Sequence, residues 1–366
     1  MRGIIKSLFG GPKVRPVVEI RPQGVRIELS TGETILQAAL AQGVAYPHNC
    51  TVGTCGSCKT HLVEGQIKAL SDFGYTLSKE ELEAGYILAC QSVPRDPLTV
   101  VEIADLGADL PPPETCTGRI VATKPLTHDI VKMVVETDRP VRFVAGQYAT
   151  FRTPELNDRG RNYSFAEAPQ RAGSRTLAFF VRKVPGGRFT ESLFAGQLAG
   201  QTLTLEAPHG SFRLRPGHAD MVCVAGGSGL APLISVLEDM RMRRVRRACT
   251  LLFGARTQAD LYALDQIEGL AGGWLERFSF VPVLSHEPAD SGWTGARGWV
   301  TDHIASAAGT TAWDQAEGYM CGPPPMIDAG MARLRELGMP LEHIHYDKFT
   351  EGPAPVAPAA VDAGAV

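Results

Sequence analysis

Residues 46–59 read YPHNCTVGTCGSCK, and a further cysteine follows at Cys90 in the run GYILACQS, 85–92. Cys50, Cys55 and Cys58 thus stand as C-x4-C-x2-C, with a 31-residue gap before Cys90. This is the plant-type [2Fe–2S] ligand spacing. Four thiolates must converge on two irons, so three come from one tight loop and the fourth from a strand that folding brings close. Gly53 and Gly56 suit such a loop, because glycine lets the backbone curl with its N–H groups pointing at the sulfurs. A structural zinc site usually takes two C-x2-C knuckles, whereas Cys90 is single and distant. A disulfide framework fits a short secreted chain better than this long one, which shows no secretory signal and reads as cytosolic.

Upstream, VVEIRPQGVRIEL has two β-rich runs around a glycine turn, and ETILQAALAQG has helical apolar spacing that ends at Gly43. Strand, strand, helix and cysteine loop is the order of a β-grasp, plant-type ferredoxin domain, assigned to 16–104. Residues 1–15 read as a frayed N-terminal segment and 105–114, with three consecutive prolines, as an extended linker. From 115 to 215 the chain is a series of short β-rich runs broken by Gly, Pro and Asp: GRIVATKPL, DIVKMVVET, GQYATFRT, RNYSFAEAP, TLAFFVRKV and TLTLEAPHG. That pattern predicts an antiparallel barrel. After Pro216 strands alternate with helix-length segments, which predicts a parallel α/β sheet over 216–350. The Ala- and Pro-rich 351–366 has little to bury and reads as a disordered tail.

At 366 residues and net charge −3 the chain is large enough for two or three domains and has no polyanion-binding bias. Nucleic acid is therefore not an expected partner. No apolar run approaches the ~20 residues that span a bilayer. Cys116, Cys223 and Cys249 lie in apolar runs, where burial is the default for cysteine. The run RMRRVRRA, 241–248, carries five arginines and reads as the solvated face of a helix.

Two further stretches carry chemistry. Arg161-Asn162-Tyr163-Ser164 is weak alone, where a strand with one exposed Arg is the plain reading. VRKVPGGRFTESL follows it closely and changes the balance. A planar flavin needs an aromatic face, a hydroxyl or amide near N5, and cationic or N–H groups for its diphosphate. Tyr163, Ser164, Arg161 and the turn Gly186-Gly187 to Thr190 supply these in turn. Gly226-Gly227-Ser228-Gly229, between strand and helix, departs from G-x-G-x-x-G and by motif alone is only a phosphate-cradling turn. CGPPPM, 321–326, follows another apolar strand, so Cys321 falls at the carboxyl end of the sheet, where α/β folds bind ligands.

In this order YPHNCTVGTCGSCK, GQY, RNYSFAEAP, VRKVPGGRFTESLF, CVAGGSGLAPL, LLFGARTQADLY and CGPPPM resemble the iron–sulfur flavoprotein reductase components of bacterial multicomponent oxygenases. The likeness covers roughly residues 15 to 350 and is nearest to those serving xylene-type monooxygenases. It implies three domains: a ferredoxin, an FAD-binding barrel and an NAD-binding domain of the ferredoxin–NADP reductase type. By resemblance, Cys50, Cys55, Cys58 and Cys90 hold the cluster. Arg161 meets the flavin diphosphate, Tyr163 stacks, Ser164 faces N5, and Val181, Lys183, Gly186, Gly187 and Thr190 complete the flavin site. Gly226, Gly227, Gly229 and Pro232 form the nicotinamide-cofactor loop, with Cys321 and Gly322 at the nicotinamide end. Tyr163, Ser164 and Cys321 are the candidate catalytic residues. Phe349 resembles a terminal aromatic beside the flavin, although 17 residues follow it.

The implied path runs from NADH to FAD to [2Fe–2S] to a terminal oxygenase component, which could itself be membrane-bound. A flavin accepts hydride and releases electrons singly, so no general base is required. His48 reads as a solvated loop residue. Arg256, after TLLFGA, is placed to meet a 2′-phosphate, but Asp260 nearby opposes added negative charge, and the resemblance is to NADH users. Residues 16–104 hold six Lys or Arg and ten Asp or Glu, which suits a basic patch on the acceptor. The expectation is a cytoplasmic monomer. A redox-sensing regulatory iron–sulfur flavoprotein and a stand-alone diaphorase are the alternatives.

Overall fold

The computed structural model describes residues 15–48, 51–54, 56–103, 106, 110–153, 160–309 and 312–349. The expectations for the N-terminal segment, the tail, Cys50 and Cys55 lie outside these residues.

The first sheet is built from β1 (Val17–Arg21), β2 (Val25–Glu28), β3 (Lys59–Glu64), a small strand β4 (Ile67–Ala69), β5 (Tyr86–Leu88), β6 (Ser92–Pro94) and β7 (Leu98–Glu102). Five of them pair in the order β2-β1-β7-β3-β5, while β4 and β6 pair separately. The β1–β7 pairing is parallel and its neighbours are antiparallel, the mixed arrangement of a β-grasp. Helix α1 (Ile35–Ala41) starts at a capping box in which Thr34 and Gln37 satisfy each other's backbone N–H groups. It buries Ile35, Leu36, Ala38 and Ala39 against the sheet. Helix α2 (Lys79–Glu83) begins with a second capping box, Ser78 and Glu81.

The second sheet comprises β8 (Glu114–Pro125), β9 (Ile130–Val141), β10 (Tyr148–Arg152), β11 (Arg161–Ser164), β12 (Ser174–Arg182) and β13 (Thr202–His209), ordered β11-β10-β13-β8-β9-β12. An antiparallel bridge between Phe165 and Phe179 joins its two edges and closes the barrel. Its interior is a cluster around Phe151, Phe165, Phe179, Val181 and Leu205. Helix α3 (Arg188–Phe194) covers one end through Phe189 and Leu193.

The third sheet is parallel in every pairing: β14 (Met221–Gly226), β15 (Cys249–Ala255), β16 (Phe278–Leu284), β17 (Ala296–Arg297), β18 (Glu317–Gly322) and β19 (Ile344–Lys348), in the order β17-β16-β15-β14-β18-β19. Helices α4 (Leu230–Met242) and α5 (Leu264–Gly272) cover one face, and α6 (Ile304–Ala308) and α7 (Pro324–Glu336) the other. The central strands are buried on both sides and accordingly read as continuous apolar runs. Successive strands are added outward on one side from β14 to β17 and on the other side from β18 to β19, so the crevice beyond the carboxyl ends of β14 and β18 is the topological switch point.

The arginine run does not form one solvated helical face. It crosses the end of α4, Arg244 takes a positive φ of 56°, and Arg247 is buried. Arg247 spans Ala219 O, Arg215 O and the Glu317 carboxylate at 3.0 Å, pinning β15 to β18. Its charge is retained inside because every nitrogen finds an acceptor. Cys116, Cys223 and Cys249 are buried as expected, and so is Cys321.

Candidate functional site

Cys58 ends the cysteine loop at the start of β3, and Cys90 sits in a single helical turn between β5 and β6. The antiparallel pairing Lys59↔Leu88 brings them together across the sheet end. Both are buried, and the Cys90 N–H donates to Cys58 Sγ at 3.4 Å. None of the six described cysteines is in a disulfide. Two buried sulfurs side by side, one accepting a backbone N–H, are a donor set suited to iron–sulfur ligation. The loop is held from outside. Gln91 Nε2 donates to the Thr51 carbonyl at 3.0 Å, and the Thr76 hydroxyl donates to the Gly53 carbonyl. Gly53 has φ +82°, and an added Cβ there would press on Gln91. His48 is exposed, its Nδ1 2.8 Å from the Tyr46 carbonyl, as a solvated loop residue should be.

On the barrel, β11 pairs with β10 in the register Tyr148↔Ser164 and Ala149↔Tyr163. Ser164 is buried and Tyr163 is half-buried, tilted against Phe151 at 5.4 Å and Phe189 at 5.8 Å between ring centres. Burial pushes the Tyr163 phenol well above its ordinary range, so it stays neutral. Arg161 is exposed, and one guanidinium nitrogen reaches the Gly160 carbonyl at 3.2 Å. Val181 points into the barrel, whereas Lys183 is exposed, its ammonium 5.8 Å from the Phe194 ring centre. Gly186 and Gly187 turn the chain into α3, which begins without a side-chain cap. Thr190 is turned inward: its hydroxyl accepts from Val184 N–H at 3.1 Å and reaches the Gly187 carbonyl at 3.0 Å. It braces the turn rather than facing outward.

At the switch point, Gly226 ends β14 and Gly229 lies against β18. A Cβ at Gly229 would strike the Cys321 carbonyl, with the Gly322 nitrogen 2.8 Å away. Pro232 is in the first turn of α4. Cys321 is buried at the end of β18, and burial raises its thiol pKa well above the usual value, so the sulfur stays protonated. Phe349, just after β19, donates its backbone N–H to the Gly322 carbonyl at 2.8 Å. The barrel meets this crevice directly. Tyr262 donates to the Gly227 carbonyl at 2.8 Å and packs edge-on against Phe180 of β12. Arg256 is not a bare cation: Asp129 of the barrel at 2.9 Å and Asp260 at 3.3 Å both accept from it. His128, Asp129 and Asp260 cluster closely, but Arg182 and Arg256 already neutralise the carboxylates.

The 226–229 turn lies against 321–322, and the segment just after 161–164 is bonded to α4, where the Ser235 hydroxyl donates to the Glu167 carbonyl at 2.6 Å and the Ala168 N–H donates to Glu238 at 3.0 Å. Sequence reasoning missed Asp347, which pairs in register with Cys321 and whose carboxyl is pushed up to about 7 by burial. It lies in the DKF string next to Phe349, and nothing but that adjacency could have singled it out. Tyr262 stands inside LLFGARTQADLY, but no periodicity marks its hydroxyl.

Three family models match the chain: a 2Fe-2S iron-sulfur cluster binding domain over 18–95, an oxidoreductase FAD-binding domain over 117–214 and an oxidoreductase NAD-binding domain over 223–331. The chain is 44% identical over 349 residues to the xylene/toluene monooxygenase electron transfer component of Pseudomonas putida, covering 95% of this chain and 97% of that one. It is 36% identical over 322 residues to a Pseudomonas phenol 2-monooxygenase reductase component, covering 87% and 90%. Among solved structures, the ferredoxin reductase in carbazole 1,9a-dioxygenase matches with TM-score 0.64 and 28% identity, covering 92% of this chain and 98% of that one.

Proposed function

Since this chain belongs to the iron–sulfur flavoprotein reductase components of multicomponent oxygenases, we propose that it takes electrons from NADH and delivers them singly to an oxygenase component. It is an oxidoreductase with a 2Fe-2S domain, an FAD domain and an NAD domain. When bound, FAD supplies the conversion between the two-electron hydride of NADH and the single electrons a [2Fe–2S] cluster accepts. The observation that carries the reading is the convergence of three stretches far apart in sequence. The Gly226–Gly229 turn lies against Cys321, Phe349 is bonded to Gly322, and the segment just after Tyr163 and Ser164 is bonded to α4 through Ser235 and Glu238, while the Cys58–Cys90 pair is tied to the same sheet through β19.

The residues divide the work as follows. Tyr163 offers an aromatic face and Ser164 a hydroxyl to the flavin ring, and Arg161 with the uncapped start of α3 offers positive charge to its diphosphate. Gly226, Gly227 and Gly229 admit a pyrophosphate close to the backbone. Cys321, neutral and dry, and Phe349 border the nicotinamide end and exclude water from the hydride path. Cys50, Cys55, Cys58 and Cys90 hold the cluster. The natural domain limits are 16–104, 115–215 and 216–350. Arg256, satisfied by two carboxylates, has little positive potential left for a 2′-phosphate, which favours NADH over NADPH. The acidic ferredoxin domain suits a basic acceptor patch, and exposed Tyr75 offers an apolar contact beside the cluster loop. Among the described residues no helix is long and apolar enough to cross a membrane. A cytoplasmic monomer is the proposed working form.

Anaerobic rapid mixing with NADH tests the reading. Flavin absorbance should bleach first and cluster absorbance follow within turnover, and the reduced cluster should be reoxidised by the oxygenase component found with it by pull-down. A reduced cluster that no oxygenase component reoxidises would leave a regulatory protein or a diaphorase instead.

A further inference from the structure

The cysteine-bearing sheet does not rest on the barrel alone. Its contact with the NAD-type sheet is a polar interface built on β19 and α7. Lys348 Nζ donates to the Thr76 carbonyl at 2.8 Å and pairs with Asp328 at 2.8 Å. Its side chain is 7% exposed although Asp328 is half exposed, so the ammonium is held inside the interface rather than at its rim. Alongside, Glu81 is fully buried. Lys59 Nζ at 2.5 Å and the Tyr346 hydroxyl at 2.7 Å both donate to it. Burial pushes the Glu81 carboxyl up, but Lys59, the Ser78 N–H and Tyr346 outweigh that and hold it below its ordinary range, so it stays ionised.

Both arms of this interface end on the cysteine loop. Lys59 directly follows Cys58. The residue that accepts from Lys348, Thr76, uses its own hydroxyl to hold the Gly53 carbonyl in the middle of the loop. In the other direction, the residue after Lys348 is Phe349, whose N–H is bonded to the Gly322 carbonyl at the switch point. Three hydrogen bonds, joined through the covalent chain of residues 348–349 and of Thr76, therefore link Gly322 to Gly53.

We propose that Lys348 is a positioning residue that clasps the cluster loop to the flavin–nicotinamide junction and so sets the separation across which electrons leave the flavin for the cluster. This rests on the electron-transfer reading above. The clasp makes and breaks no covalent bond. It immobilises two domains that a polar interface alone would leave free to move. Removing a buried cation while Asp328 stays in solvent loosens the loop without touching the flavin site.

The test compares wild type with Lys348→Met, which keeps the apolar stem, and Thr76→Val, which keeps the carbonyl but releases Gly53. Asp328→Asn is the control, since it leaves the Lys348–Thr76 bond in place. In anaerobic rapid mixing with NADH, Lys348→Met should leave the flavin-bleaching phase unchanged and slow the cluster-reduction phase about tenfold or more, as misplacement by an ångström does elsewhere. The oxidised cluster spectrum should not change. Amide hydrogen exchange in peptides spanning 70–78 and 344–349 should quicken, a readout that does not depend on turnover. Thr76→Val should repeat the kinetic pattern, and it decides the matter if Lys348→Met does not fold. Asp328→Asn should match wild type in both phases. An unchanged cluster phase in the variants, or a flavin phase that slows in parallel, overturns the clasp. Absence of any flavin bleaching by NADH in the wild type would instead overturn the electron-transfer reading itself.

Discussion

Replacing Gly229 by alanine tests the nucleotide crevice with one methyl group. A Cβ at this position would overlap the Cys321 carbonyl group and stand 2.8 Å from the Gly322 nitrogen. All of these atoms are backbone of β18, a central strand hydrogen-bonded on both sides, so no side chain can swing away to make room. Overpacking of a tight core costs about 1–3 kcal/mol, and rigid neighbours put this site at the upper end, ~3 kcal/mol. Relief requires α4 to start further from β18, which opens the turn that would cradle the pyrophosphate. At roughly 2–4 °C per kcal/mol for a unit of this size, the nucleotide-domain transition should fall by about 6–12 °C in calorimetry. The KM for NADH should rise about tenfold or more, as ~1.4 kcal/mol of lost binding implies. Flavin and cluster absorbance should be retained. Gly269 in α5 is the matched control, because a Cβ there meets nothing within 4 Å. Gly269→Ala should be neutral or stabilise by up to ~1 kcal/mol through helix propensity. If Gly229→Ala melted with wild type and bound NADH as well, the account of the switch point would be wrong.

Glu317→Ala leaves the buried Arg247 guanidinium without its carboxylate and should cost about 3–5 kcal/mol, read as an earlier thermal transition, while Glu317→Gln should cost less because an acceptor remains. The Asp347 carboxyl has an ordinary value of 3.8 and is raised by burial to about 7 in the folded chain. Below pH ~4 both states are protonated, and from there to pH ~7 the unfolded chain ionises while the folded one resists, so stability falls as pH rises through that window. Asp347→Asn should flatten this part of a pH series of denaturant midpoints. Asp260→Asn removes one of the two carboxylates on Arg256, and kcat/KM for NADPH relative to NADH, with ferricyanide as acceptor, should rise about threefold to tenfold, equivalent to ~1 kcal/mol. Electron transfer to the oxygenase component should slow as ionic strength rises, if acidic residues of the ferredoxin domain steer docking.

Much of the architecture was legible because each layer leaves its own period in the chain. The alternating runs at 114–141 suit a half-buried antiparallel wall, and MVCVAG and CTLLFGA, apolar but for Thr250, suit a strand covered on both faces. The glycines at 226–229 were visible as a turn, but the reason Gly229 tolerates no side chain is a carbonyl more than 90 residues away. Four of the five arginines of 241–248 are exposed as charge density predicts, and Arg247 escapes that rule only through acceptors on Ala219, Arg215 and Glu317. Thr190 reads from the sequence as part of the phosphate turn, and only the structure shows its hydroxyl closing that turn onto Val184 and Gly187.

The sequence by itself determined the number and class of the layers, the four cysteines and the order of the three cofactor motifs, since spacing and periodicity are local properties of the chain. Tertiary structure alone decided how the carriers are joined. Lys348 and Thr76 are 272 residues apart, and Arg256 meets Asp129 across 127. Such partners share no period or motif. Their pairing depends on where two separately folded surfaces come to rest, and hydrogen-bond geometry then selects which side chains meet.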